Sequence, residues 1–141
     1  MSGRSDDEEV MILEGRVTSG KNRGRFFLSK EKYKEQFVEL FNIDPKMGTL
    51  NIELIGDDVE KFQSLKGVEG IKIEGFVEDG KKFGEVTAYR AKIDDIDCAV
   101  VIPERSDHEK VVEIISNHKL REELNLKDGE KLIVKIFTDT D

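Results

Sequence analysis

A short basic loop is the first stretch of this sequence whose residue types suit phosphate chemistry. It is bracketed by two glycines, and glycine permits backbone conformations that bring several N–H groups onto one point. Three basic side chains add positive charge to the same loop. We interpret it as a candidate site for a phosphate chain; the alternative is an ordinary turn between two strands. Its members are Gly20, Lys21, Asn22, Arg23, Gly24 and Arg25.

This loop differs from a P-loop. No Gly-Lys-Ser or Gly-Lys-Thr follows Gly24, and the next residues, Arg25 to Leu28, predict a strand instead of a helix. Phosphates would therefore contact loop amides and basic side chains, without a helix N-terminus beneath them.

A hydroxyl–amide pair is the second stretch that could do chemistry. Thr49 and Asn51 stand two residues apart at the start of an apolar alternation, so they share one face of the predicted strand. Hydroxyl and amide oxygens are hard ligands, which suit Mg²⁺ held mainly by substrate phosphates. The alternative is a surface ladder or turn, which is the commoner use of such a pair.

The order of these motifs resembles the archaeal CTP-dependent riboflavin kinases. The resemblance spans the chain from about Met11 to about Phe137. The stretches that carry it are Gly15-Arg16-Val17-Thr18-Ser19-Gly20, Gly24-Arg25-Phe26-Phe27-Leu28-Ser29, Tyr33-Lys34, the Pro45–Gly48 turn, Gly48-Thr49-Leu50-Asn51, Lys119-Leu120-Arg121-Glu122 and Leu124-Asn125-Leu126-Lys127-Asp128-Gly129.

The resemblance implies transfer of the γ-phosphate of CTP to the ribityl hydroxyl of riboflavin, which gives FMN and CDP with Mg²⁺ as cofactor. It implies metal ligation by Thr49 and Asn51, and flavin contacts by Ser106 and Glu113. Glu113 is the nearest candidate for a catalytic general base, although orienting the flavin is the favoured role. The nucleotide is expected on the Gly20–Arg25 loop and along His118, Lys119, Leu120 and Arg121.

Composition bounds the class of protein. The 141 residues predict one domain, residues 10–141, preceded by a disordered acidic arm at residues 1–9. A net charge of -8 argues against a nucleic-acid binder. Cys98, the one cysteine, falls in an apolar run and is predicted to be buried, not nucleophilic. Because the sequence shows neither a signal peptide nor an apolar run of about 20 residues, we expect a cytoplasmic protein that does not bind membranes. A monomer is expected.

Periodicity predicts a β-rich domain with two or three helices. The resemblance sharpens this expectation to a small closed six-stranded barrel, the cradle-loop barrel. One helix should run from Lys30 to about Asn42, capped by Ser29, with an apolar stripe of Tyr33, Phe37, Leu40 and Phe41. Other expected elements are strands at 10–17, 49–54, 71–77, 83–91, 96–102 and 131–137, a helix at 57–65, and a helix or strand at 111–115.

Two other functions remain open at this stage. Related barrels serve as DNA-binding regulators, so the chain could be a non-catalytic ligand- or DNA-binding module. A kinase for a different small alcohol would keep the phosphate site and change the residues around Ser106 and Glu113.

Overall fold

Nine strands and three short helices make up the part of the chain that the computed structural model describes, residues 9–19, 30–45, 47–65, 67–103 and 110–138. The helices are α1 (Glu31–Phe41), α2 (Asp58–Leu65) and α3 (Leu120–Glu123). The strands are β1 (Val10–Thr18), β2 (Gly48–Leu54), β3 (Ile71–Ile73), β4 (Phe76–Glu78), β5 (Lys81–Phe83), β6 (Val86–Ile93), β7 (Ile96–Pro103), β8 (Val111–Ser116) and β9 (Lys131–Phe137).

Six of the strands close into a barrel. Their order is β6-β7-β8-β2-β1-β9, every neighbouring pair is antiparallel, and β9 pairs back onto β6 through Ala91 and Ile136. In this closed ring each of the six strands pairs with a neighbour on both sides, so none of them is an edge strand. The expected mostly-β, closed six-stranded barrel with a few short helices is therefore confirmed.

The barrel interior holds the main core. On β2, Leu50, Ile52 and Leu54 point inward and are at most 5% exposed, while the residues between them face outward. The same alternation on β8 places Val112 and Ile114 inside. Because side chains on a strand alternate between its two faces, this inward set places Thr49 and Asn51 on the outer wall.

A second apolar cluster lies on the outer wall, where α1 packs across β6, β7 and β8. Tyr33 and Phe37 are fully buried there, and Phe41 is packed against the cluster at the same spacing of four residues. Leu40, predicted to belong to this stripe, is 38% exposed and faces away. Ser29, the expected cap, lies outside the described residues, and Lys30 occupies the N-cap position.

The predicted strands 71–77 and 83–91 were wrong in extent, because each is interrupted. After β3, which pairs with β6 beside the ring of six strands, the chain forms the β4–β5 hairpin and then enters the barrel as β6. A Cβ on Gly75 would overlap the carbonyl oxygen of Phe83, so the chain crosses itself closely there. From α1, the Gln36 amide exchanges two hydrogen bonds with the backbone of Glu74, at 2.7 and 3.0 Å. These tertiary contacts hold the start of the β4–β5 hairpin against α1.

Burial determines the reactivity of the Cys98 thiol. The side chain is 3% exposed inside the barrel, and burial, with a smaller contribution from the Asp97 charge, raises the pKa of its thiol to about 12. The prediction of a buried, non-nucleophilic cysteine agrees with this environment, because the thiolate is the reactive form.

Each helix in the described ranges is too short, or too polar, to cross a bilayer.

Candidate active site

A row of polar side chains crosses three adjacent strands on the outer wall of the barrel. Asn51 on β2 lies directly opposite Thr18 on β1 and directly opposite Glu113 on β8. Directly opposed residues share a face, with Cβ atoms about 5 Å apart. All three are half-buried, and the next residue of the row, Val101 on β7, is 2% exposed in the outer apolar cluster. The run 111–115, which the sequence left as helix or strand, is thus a strand.

Thr49 adds a second hydroxyl to this wall. It lies two residues before Asn51 on the same face, about 7 Å away along the strand, and is also half-buried. The hydroxyl of Thr49 and the amide oxygen of Asn51 are hard donors, which fit a hard divalent cation. Within the described ranges, no three His, Cys, Asp or Glu side chains come together as a metal site. Thr49 and Asn51 fit Mg²⁺ that draws its other ligands from phosphates and water; the role itself remains a prediction.

The start of β2 packs directly against the segment that follows β8. A Cβ on Gly48 would overlap the carbonyl oxygen of His118, so only glycine permits this approach. Ser116, the last residue of β8, stabilises the turn at residues 117–118. Its fully buried hydroxyl donates to Asp97 O at 3.0 Å and accepts from His118 N at 3.1 Å. Residues 118–121 therefore begin beside Thr49.

Asn117 ties the same turn to the end of α1. Its amide donates to Asn42 O at 2.7 Å, and its carbonyl oxygen accepts from Asp44 N at 2.8 Å. Asn42 ends α1 in the left-handed conformation, φ 59°, which asparagine tolerates better than most residues. This clasp fixes the connection that leads into Gly48.

The segment predicted to lie along the nucleotide, residues 118–121, contains both exposed and buried side chains. His118 is exposed, with Nδ1 2.8 Å from Glu123 Oε2, and Lys119 Nζ lies 3.8 Å from Glu122. Leu120, by contrast, is 1% exposed and packs in the barrel core. Any contact of Leu120 with a nucleotide would come from its backbone.

Arg121 meets the residue that precedes the predicted phosphate loop. Its Nη2 donates to Asp128 Oδ1 at 2.7 Å, and its Nη1 lies 3.5 Å from Ser19 Oγ. Ser19 Oγ itself lies 2.8 and 2.7 Å from the two carboxylate oxygens of Asp128. The hydrogen bond from Ser19, followed by that from Arg121, lowers the pKa of Asp128.

The structure thus gathers the described candidates at one place. Thr18 and Ser19 lead into the loop, Thr49 and Asn51 stand on the neighbouring strand, Glu113 lies on the next strand, and residues 118–121 flank the strand ends. The loop residues 20–25 and Ser106 lie outside the described residues, so their assignments remain predictions.

Two residues of this region were not singled out by sequence reasoning. Thr18 belongs to a recognised motif, but only strand register places it against Asn51. Asp128 was interpreted as part of a turn, because Asp-Gly is a strong local turn signal. Its partner Ser19 is 109 residues away, and no local pattern carries such a contact.

Comparison with known proteins places the chain among relatives. The profile of the family CTP-dep_RFKase, described as Domain of unknown function DUF120, matches residues 17–136. Proteins named riboflavin kinase are similar: from Thermoplasma acidophilum (41% identical over 91% of this chain and 58% of that protein), Ignicoccus hospitalis (40%, over 89% and 70%) and Pyrobaculum aerophilum (43%, over 89% and 60%).

The chain spans about three-fifths of the length of most of these curated relatives. The resemblance inferred from motif order is confirmed, because the profile match and the relatives cover nearly the whole chain. The chain belongs to the CTP-dependent riboflavin kinase domain family.

Proposed function

We propose that this chain transfers the γ-phosphate of CTP to riboflavin and yields FMN and CDP. The observation that carries the proposal is the meeting of three segments on one outer wall. Asn51 is paired with both Thr18 and Glu113, and Gly48 packs against His118. Membership of the CTP-dependent riboflavin kinase domain family supports the assignment of phosphoryl transfer to this site.

The nucleotide would lie at the end of the barrel where β1 ends and β2 begins. Arg121 presents a guanidinium beside Ser19, and Lys119 presents an exposed ammonium on the adjacent turn. Such groups neutralise phosphate charge, and the arginine fork can do so with two parallel hydrogen bonds. The N–H groups of residues 20–25 are proposed to complete this surface.

Preference for CTP would rest on backbone contacts. The Leu120 side chain is committed to the core, and the His118 carbonyl packs on Gly48, so the backbone of this segment is held in place. A rigid run of backbone donors and acceptors can pair with the edge of one base and reject another, because a mismatched polar group would be left unpaired.

Thr49 and Asn51 would hold Mg²⁺, which would supply positive charge for the phosphate groups. When bound, the ion offsets the negative charge that develops on the transferred group. Neutral ligands suffice for this purpose, since the triphosphate brings the negative charge.

In the transfer itself, the terminal ribityl oxygen forms a bond to the γ-phosphorus, and the bond from that phosphorus to the bridging oxygen breaks. CDP leaves with the electron pair of the broken bond, and the hydroxyl proton is lost to a base. Glu113 is proposed to orient the flavin, with the alternative role of accepting that proton. Phosphoryl transfer needs mainly positioning and charge stabilisation, so orientation is the larger contribution.

The test is direct. The protein is mixed with riboflavin, Mg²⁺ and each nucleoside triphosphate in turn, and FMN is measured chromatographically. FMN formed with CTP and not with ATP, GTP or UTP supports the full proposal, and equal rates with all four would remove the CTP preference. Absence of FMN with every nucleotide would reject riboflavin kinase activity and leave a non-catalytic module or a kinase for another alcohol.

The cytoplasm as location and a monomeric state remain predictions from the sequence.

A further inference from the structure

Asp128 contacts Arg121, which is assigned above to the nucleotide, and Ser19, which precedes the predicted phosphate loop. It lies on the turn between α3 and β9, where its Oδ1 accepts a hydrogen bond from Arg121 at 2.7 Å. The hydroxyl of Ser19, the residue before the predicted phosphate loop, lies 2.7 and 2.8 Å from its two oxygens. One carboxylate thus joins side chains from opposite ends of the sequence.

We propose that Asp128 is a positioning residue for the nucleotide site. Its carboxylate, to which the hydroxyl of Ser19 donates, fixes the guanidinium of Arg121 in one orientation before the nucleotide arrives. The Arg121 guanidinium is then already oriented in the free protein. This inference rests on the proposed function, since it takes Arg121 as a ligand of the triphosphate.

The turn that carries Asp128 is itself fixed to the barrel, which a positioning residue requires. Gly129 N donates to Val17 O at 2.7 Å, and Val17 N donates to Glu130 O at 2.9 Å. The Arg16 guanidinium donates to Gly129 O at 3.0 Å. These bonds hold the turn against the last residues of β1, so the position of the carboxylate is set by the barrel.

The described residues engage only a small part of the Arg121 fork. One Nη2 hydrogen is given to Asp128, and the contact from Nη1 to Ser19 is long, at 3.5 Å. Arginine carries five N–H donors in a rigid plane, so a phosphate can bind the remaining ones while the carboxylate sets the orientation. A side chain held in its bound conformation loses less conformational entropy when the ligand binds.

The charge of Asp128, considered without its positioning role, predicts that the residue weakens nucleotide binding. A carboxylate beside a triphosphate repels it, so removal of that charge should tighten nucleotide binding if Asp128 did nothing else. The positioning role predicts weaker binding when the charge is removed. The direction of the change therefore distinguishes the two.

Asp128→Asn and Glu130→Gln form a matched pair for this test. Both variants replace a carboxylate by its amide on the same turn, but Glu130 accepts from Lys127 N at 2.8 Å instead of from Arg121 and Ser19. CTP binding to the full chain is measured by isothermal titration calorimetry, without riboflavin. We expect Asp128→Asn to raise the Kd about tenfold, and Glu130→Gln to change it less than twofold.

A double-mutant cycle with Arg121→Ala separates positioning from a general loss of structure. If Asp128 acts through Arg121, Asp128→Asn adds less than about twofold to the Kd once Arg121 is removed. A further tenfold loss on the Arg121→Ala background would overturn the proposal, as would unchanged or tighter CTP binding by Asp128→Asn alone.

Tripolyphosphate, which carries the charge without the base, distinguishes failure of this proposal from failure of the proposed function. If the wild-type chain binds tripolyphosphate but not CTP, the nucleotide assignment fails. The positioning role is then supported if Asp128→Asn shows the same tenfold loss for tripolyphosphate, and overturned if it does not. Binding of neither anion overturns both.

Discussion

Asn51 lies directly opposite Glu113 in the pairing of β2 with β8, with both side chains on the outer wall of the barrel. An amide expected to hold a metal and a carboxylate expected to face the flavin are therefore neighbours about 5 Å apart at Cβ. This register sets one of the two predicted metal ligands directly beside the carboxylate that is expected to contact the flavin.

Removal of either proposed metal ligand should reduce catalysis far more than folding. For Thr49→Ala and Asn51→Ala we expect turnover at limiting Mg²⁺ to fall about a hundredfold, because the charge on the transferred group is no longer offset in a fixed position. Both side chains are half-buried on the outer wall, so the melting temperature should change little. Glu53→Ala is the control, since Glu53 is the next outward residue of β2 and forms an exposed 3.9 Å ion pair with Lys110, which is worth little to stability. Full activity of either variant at limiting Mg²⁺ would refute the metal assignment.

Glu113→Gln separates flavin orientation from base catalysis. If the Glu113 carboxylate orients riboflavin, the substitution should raise the KM for riboflavin about tenfold, while the pH profile of kcat keeps its shape. A base would instead be revealed by a large fall in kcat and loss of the acidic limb of that profile. Glu53→Gln, an exposed carboxylate on the adjacent strand, should leave both constants unchanged.

Gly48→Ala should disturb the site through sterics alone. The new methyl group would overlap the His118 carbonyl, so β2 and the 118–121 segment must move apart. We expect a loss of about 1–3 kcal/mol in the free energy of unfolding, together with weaker CTP binding. Gly67→Ala serves as the control, because its nearest atom would be Ser64 O at an ordinary 3.6 Å. A fully stable Gly48→Ala variant would contradict the close approach.

The thiol of Cys98 should be inert in the native protein. With its pKa raised to about 12 by burial, the thiolate is almost absent at pH 8, and the side chain is only 3% exposed. Ellman's reagent should react with one equivalent of thiol in guanidinium chloride and with almost none under native conditions. Cys98→Ala should retain kinase activity. Rapid native labelling would contradict the buried position.

The contacts of Asp128 should make stability depend on acidity. Its pKa in the folded state is lowered from 3.8 by the hydrogen bonds from Ser19 and Arg121. The contribution is therefore fully present above the unfolded pKa and is lost as the pH falls through the folded pKa. We expect the difference in melting temperature between the wild type and Asp128→Asn to shrink as the pH is lowered below about 4. A difference that is constant down to pH 2 would contradict the contact.

Much of the fold could be predicted because its signals are local. Alternation identified β2 and assigned Leu50, Ile52 and Leu54 to the interior, and spacing four placed Tyr33 and Phe37 on the buried face of α1. The Asp79-Gly80 turn also followed from residue type: both residues have positive φ, 52° and 76°, as that hairpin turn requires.

The failures occurred where distant contacts override local pattern. The alternation through 71–77 continues past Glu74, but Gln36 of α1 binds the backbone of Glu74 and the hairpin folds away from the barrel. Leu40 fits the apolar stripe of α1 by spacing, yet 38% of it is exposed.

The sequence by itself determined the family, the inward and outward faces of the strands and the residue types available for phosphate and metal. Only the tertiary structure decided that Asn51 stands between Thr18 and Glu113, that Gly48 accommodates the His118 backbone, and that Asp128 joins Ser19 to Arg121. The physical reason is that periodicity reports which face a side chain occupies. Strand register and barrel closure determine which distant side chains meet, and these depend on contacts between residues far apart in the chain.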